Sequence, residues 1–216
     1  MPAKKPPPGK RFRLRLYERL FEMLRWPTFL LVFAAYALWW ISPDLPLPSA
    51  GRDLMLLVTL ISLLLFIAGL IAPALCFVQC RADHLLISTA VYRVTVSYSR
   101  LGNITPVNFD GEYPLTKQPW SQHRFLKPLY REQRTGQLTA LSVGLKKYPL
   151  PLRWLKLWFT AYMFMPRATG FLFLVNDWLA LSRQIGDYRE QWRARRKDKG
   201  DRGSSIASQL LSNKGR

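Results

Sequence analysis

The sequence is poor in the side chains that most chemistry uses. Its 216 residues include two cysteines, Cys76 and Cys80, and two histidines, His84 and His123. Two cysteines exclude a disulfide framework. No phosphate-cradling glycine loop of either common type occurs, and no Ser or Cys nucleophile stands beside an identifiable base. Asp83-His84 reads as an exposed loop dyad. Cys76, Cys80 and His84 are four apart and on a continuous helix would line one face, as a soft metal requires. His84 falls past the helix end, however, so packing at the end of that helix is the stronger reading. Neither an enzyme nor a cofactor or metal is expected. Acids are scarce too, 13 Asp+Glu against 32 Lys+Arg, for a formal net charge of +19. Such an excess calls for an anionic partner, acidic lipid or nucleic acid.

Charge is missing altogether from one long stretch. Leu54 to Val78 is 25 residues without a charged side chain, or roughly 37 Å of helix, more than the ~30 Å hydrocarbon core of a bilayer requires. Before it, Trp26 to Ser42 supplies 17 uncharged residues, near the lower limit for a span. The segment from Pro43 to Asp53 has three prolines and a glycine and turns the chain. A transmembrane hairpin over 26–80 follows, with Trp26, Trp39 and Trp40 as interfacial anchors. With two spans in a bilayer, acidic phospholipid is the economical partner for the charge, and nucleic acid is not expected.

Orientation follows from where the cations fall. Residues 1–25 hold eight Lys/Arg, the interhelical loop holds only Arg52, and residues 81–216 hold the other 23. The positive-inside rule puts both termini in the cytoplasm of a multi-pass protein of the plasma (inner) membrane. The basic leader is too long for a cleavable signal peptide. Within it, residues 1–10 read as a disordered tail. Phe12, Leu16, Leu20 and Leu24 then recur every four residues beside Arg11, Arg15 and Arg19, which predicts an amphipathic helix or a plain extension of the first span.

Past Cys80 the periodicity changes to two. Tyr92, Val94, Val96 and Tyr98 alternate with Arg93, Thr95 and Ser97, and 84–98 reads as a tight antiparallel strand pair. Further strands are expected at Ile104–Phe109, Leu138–Leu145 and Gly170–Val175, with 110–137 irregular. A helix starts after the N-cap candidate Asn176-Asp177 and ends in the basic run 193–197. Residues 198–216 read as a disordered tail. Leu152 to Met165 is apolar but only 14 residues long, too short to span. It is either an interfacial helix presenting Trp154, Trp158 and Tyr162 or a pair of core strands.

Three passages, Val78-Gln79-Cys80-Arg81-Ala82-Asp83-His84-Leu85-Leu86-Ile87, Tyr92 to Ile104, and Gly170-Phe171-Leu172-Phe173-Leu174-Val175-Asn176-Asp177, are similar to small bacterial membrane proteins that carry a pleckstrin-homology-like domain directly after a helical hairpin. The resemblance covers roughly 54–195, with 148–165 departing from it. It implies an α+β membrane protein in which residues 81–197 form a small cytoplasmic β-barrel closed by the C-terminal helix, without catalytic residues. Cations interleaved with aromatics suit a headgroup layer, and the candidate binding set is Arg93, Arg100, Lys146, Lys147, Arg153 and Lys156, with Trp154 and Trp158 as further anchors. A solvated basic face is the plainer reading of the same residues. Two functions fit: a non-enzymatic membrane protein whose domain binds acidic headgroups or a protein partner, and a scaffold subunit of a larger membrane complex without lipid specificity.

Overall fold

The computed structural model describes residues 6–41, 49–132 and 138–213. Two 27-residue helices, α1 (Arg15–Ile41) and α2 (Ser49–Leu75), form a hairpin, each about 40 Å long. Both are long and apolar enough to cross a membrane. Ala35, Ser62 and Ala72 are buried while Leu30, Phe33 and Leu64 are exposed, so the helices meet on small side chains. Phe29 of α1 meets Phe66 of α2 with ring centroids 5.6 Å apart. Of the expected turn, Pro43 to Asp53, residues 43–48 lie outside the described residues, and α2 already begins at Ser49.

The base of the hairpin runs straight into the β domain, and here the structure corrects the reading of the N-terminus. Arg11–Arg13 is not the start of an amphipathic helix but a strand, β1, paired antiparallel with β2 (Phe77–Cys80) through Phe12↔Val78. The backbone N–H of Gly9 donates to Cys80 O at 2.8 Å, and Tyr188 Oη donates to Pro7 O at 2.7 Å. The described part of the expected tail is therefore held. The cause is the exposed edge of β2, whose backbone groups need partners. The four-residue spacing of Phe12, Leu16 and Leu20 spans a strand-to-helix junction at Leu14, where Phe12 points into the same core.

β2 continues into β3 (His84–Ser88) and β4 (Arg93–Ser97), giving a four-stranded antiparallel sheet in the order β1-β2-β3-β4. The inward face of β4 carries Val94 and Val96, with Tyr98 buried just beyond its end and Tyr92 half-buried just before it. A second antiparallel sheet holds β5 (Leu101–Asn108), β6 (Thr139–Leu145) and β7 (Gly170–Phe173). The two sheets do not close into the expected barrel. A 3₁₀ turn, Tyr98–Arg100, breaks the path from β4 to β5. Beyond the end of β7, a backbone bond from Arg15 N to Leu174 O, 2.9 Å, reaches the start of α1. Both sheets nevertheless share one buried cluster, from Phe12, Val78, Ile87 and Val96 to Leu141, Val143, Phe171 and Phe173.

Helices flank this core. Of the stretch 110–137 expected to be irregular, 113–119 is loop with one 3₁₀ turn, but a single turn, α3 (Phe109–Glu112), precedes it and α4 (Trp120–Glu132), which buries Leu126 and Leu129, follows. Between β6 and β7 the apolar block splits. Leu152–Trp158 is a two-turn helix, α5, while Phe159, Tyr162, Met163 and Phe164 enter the core. The block is thus helical in its first half only, and its second half enters the core as expected of strands but does so as a 3₁₀ turn and irregular chain, not as strands. The last helix, α6 (Trp178–Asn213), runs through Gly200 and Gly203 rather than ending at 197. Asp177 Oδ1 accepts from Ala180 N at 2.9 Å as its cap.

Candidate functional site

Strand register decides which surface each candidate residue occupies. Phe77, the first residue of β2 and the second after the hairpin, lies opposite Ser88, and Ser88 lies opposite Arg93. The β3–β4 turn, Thr89 to Tyr92, therefore sits at the end of the sheet that joins the helices, the hairpin end. Thr89 N and Oγ1 both donate to Tyr92 O, at 2.8 and 2.9 Å, and fix this turn. It leaves Val91 at 76% exposure.

α5 joins it there. Thr160 N donates to Tyr17 Oη near the start of α1, at 3.1 Å. Trp158 stacks on Tyr92, centroids 5.6 Å apart and 15° between planes, and Trp154 Nε1 donates to Tyr92 Oη at 3.4 Å. Trp154 and Trp158 meet edge-on at 6.1 Å. Trp158 is half-buried by this stack, whereas Trp154 (47%) and Leu157 (68%) remain exposed. Arg93 and Arg153 flank the patch and are themselves exposed. The hairpin end thus presents an apolar surface with two cations at its border. Val91 and Leu157 are its most open side chains, and neither was singled out from sequence. An exposed valine in a turn carries no sequence signal until the register places it.

The remaining candidates lie elsewhere. β4 runs away from the hairpin to Ser97, opposite His84, and Arg100 follows directly. Lys146 N donates to Arg100 O at 2.9 Å, which puts Lys146 and Lys147 toward the same far end. α6 reaches that end as well: Arg189 donates to Leu101 O and Gly102 O at 2.9 and 3.0 Å, and Arg195 donates to Ala82 O. Lys156 lines a groove of about 530 Å³ with Tyr113, Tyr148 and Arg167. The six cations are therefore not one site. Arg93 is at the hairpin end of β4, Arg153 and Lys156 lie three apart on α5, which joins that end, and Arg100, Lys146 and Lys147 lie toward the far end.

On the hairpin, Trp26 and Trp40 are exposed at opposite ends of the uncharged part of α1, and Trp39 is half-buried. The two thiols share no helix face, because Cys80 is a strand residue; both are fully buried. Burial pushes the Cys80 thiol up to about 12. His84, at the far end, is held below its ordinary value by burial and then by Arg81. Among the described residues no group of three or more His, Cys, Asp or Glu side chains is gathered where it could hold a metal. The chain matches no family model, no curated protein and no solved structure.

Proposed function

We propose that the chain is a non-enzymatic integral membrane protein. Its hairpin spans the bilayer, and its α+β domain, of the pleckstrin-homology-like kind, lies against the cytoplasmic leaflet by its hairpin end. One observation carries this reading. Three exposed apolar side chains of the domain, Val91, Trp154 and Leu157, cluster at the end from which the helices leave, with Arg93 and Arg153 beside them, while Trp120, Leu150, Leu152 and Leu179 are the other large apolar side chains it exposes. If the helices span, that end meets the headgroup layer, where amphipathic rings partition and each nearby cation adds about 1 kcal/mol against an acidic surface. The helices favour insertion because Leu30, Phe33, Leu54, Leu64 and their neighbours expose contiguous apolar surface, far more than a water-soluble monomer presents. Arg100, Lys146 and Lys147 at the far end stand away from the leaflet and serve solubility or a protein partner.

The test places a fluorophore on Val91→Cys or Lys147→Cys of the full chain in nanodiscs containing headgroup-labelled quencher lipid. The buried native thiols stay unlabelled. Quenching at position 91 and not at 147, strengthened by anionic lipid, is the expected result. Equal quenching at both positions would refute the orientation. Quenching at 91 that is indifferent to lipid charge would favour a scaffold that docks without lipid specificity.

A further inference from the structure

A second place on the molecule combines charge, an unmet donor and a route into the bilayer. Between α1 and α4 lies a cavity of about 420 Å³ lined by Arg19, Glu22, Arg25, Trp26, Phe125 and Pro128, within the size range of small-molecule sites. Its charges are unequal. Arg19 Nη1 holds Glu22 Oε2 at 2.7 Å. Among the described residues no carboxylate pairs with Arg25, and its Nε is buried without a hydrogen-bond partner. A buried donor left unmet needs a partner that the protein itself does not supply. Above Arg25 the charged part of α1 ends: Trp26 begins the uncharged run, and Leu30 and Phe33, one and two turns on, are exposed.

From this arrangement we propose that the cavity holds one anionic phospholipid, its phosphate on the Arg25 guanidinium and its acyl chains along Trp26, Leu30 and Phe33. The planar fork of arginine matches phosphate oxygens pairwise, and the partly enclosed setting strengthens the bond. The flanking Phe125 and Pro128 exclude water from one side. A free phosphate would satisfy Arg25 but would leave the adjoining apolar wall uncovered, which is why lipid is the occupant. The inference rests on the hairpin lying in a bilayer, but not on the contact made by Val91 and Trp154.

The full chain in mild detergent, incubated with phosphatidylglycerol or phosphatidylcholine, tests this by native mass spectrometry. Wild type should retain one phosphatidylglycerol through activation and no phosphatidylcholine. Arg25→Gln should lower the retained fraction at least tenfold, while Arg183→Gln, an exposed cation on α6, leaves it unchanged. Unreactive native thiols confirm that each variant is folded. Retention by Arg25→Gln equal to wild type, or equal retention of the two lipids, would overturn the proposal. Displacement of the lipid by millimolar inorganic phosphate would also overturn it, since the site would then answer to phosphate alone. Quenching at position 91 in nanodiscs is independent of Arg25, so it separates loss of this site from loss of the leaflet contact.

Discussion

Val96 is the position where the β4 register can be tested hardest. Its side chain is fully buried, opposite Leu85 on β3, while its neighbour Thr95 faces solvent. Val96→Asp removes a buried aliphatic group, worth about 2 kcal/mol, and places a carboxyl where no partner exists. Holding that carboxyl neutral at pH 7, three pH steps above its ordinary range, costs about 4 kcal/mol at ~1.4 kcal/mol per step. The sum, about 6 kcal/mol, reaches the whole stability of a typical domain. Thr95→Asp should stay within about 0.5 kcal/mol. Urea unfolding of the full chain in detergent, followed by tryptophan fluorescence and limited trypsin digestion, reads both. The penalty also has a sign in pH. A carboxyl buried neutral has a raised folded-state pKa, so the variant regains stability toward pH 4 and loses it as pH rises. Equal effects of the two substitutions, or a Val96→Asp variant more stable at pH 7 than at pH 4, would show that the register is wrong.

Three further outcomes follow from particular contacts. Cys76 and Cys80 should resist thiol reagents in the native chain and react only after unfolding; with Cys80 pushed from 9.0 to about 12, its ionisation favours the unfolded chain, so stability should fall as pH rises from about 9 toward 12 in a urea titration. Gly170→Ala would set a Cβ 2.6 Å from Val143 O and 2.5 Å from Met165 Sδ, costing about 1–3 kcal/mol, whereas Gly186→Ala in α6 meets nothing within 4 Å and should stabilise by about 0.5–1 kcal/mol. Thermal melts of the two variants moving in the same direction would contradict this. Trp154→Ser with Leu157→Ser should weaken quenching at position 91 and leave the melting temperature within a few degrees, while Trp158→Ser, which removes the stack on Tyr92, should lower it clearly.

The sequence made the β3–β4 pair legible because Val94 and Val96 alternate with exposed residues in a strand buried on one face. It made the two long helices legible because nothing else in the chain lacks charge for so long. It hid β1, since three residues give no period and the leucines of α1 supplied a misleading one. It hid α4 behind Pro119 and Pro128, although Leu126 and Leu129 have helical spacing; Pro128 is tolerated inside the helix. It shortened α6 because Gly200 and Gly203 read as breakers. The candidate site was half legible for a different reason. Residue type marks a cation or a tryptophan as suited to an interface, but only pairing such as Phe77↔Ser88↔Arg93 says at which end of the sheet it lies. That is why Arg93 and Arg153 fall beside the hairpin and Arg100, Lys146 and Lys147 do not.

The proposed topology, a hairpin across the bilayer with the domain and both termini on the cytoplasmic side, is open to a direct test. Single cysteines at Ser49, at the start of α2, and at Ser205, in α6, test it in intact cells with a membrane-impermeant thiol reagent, against the silent background of the two buried native thiols. Labelling of Ser49→Cys from outside, and of Ser205→Cys only after the membrane is permeabilised, is the expected result. Labelling of Ser205→Cys in intact cells, or protection of Ser49→Cys until permeabilisation, would contradict it.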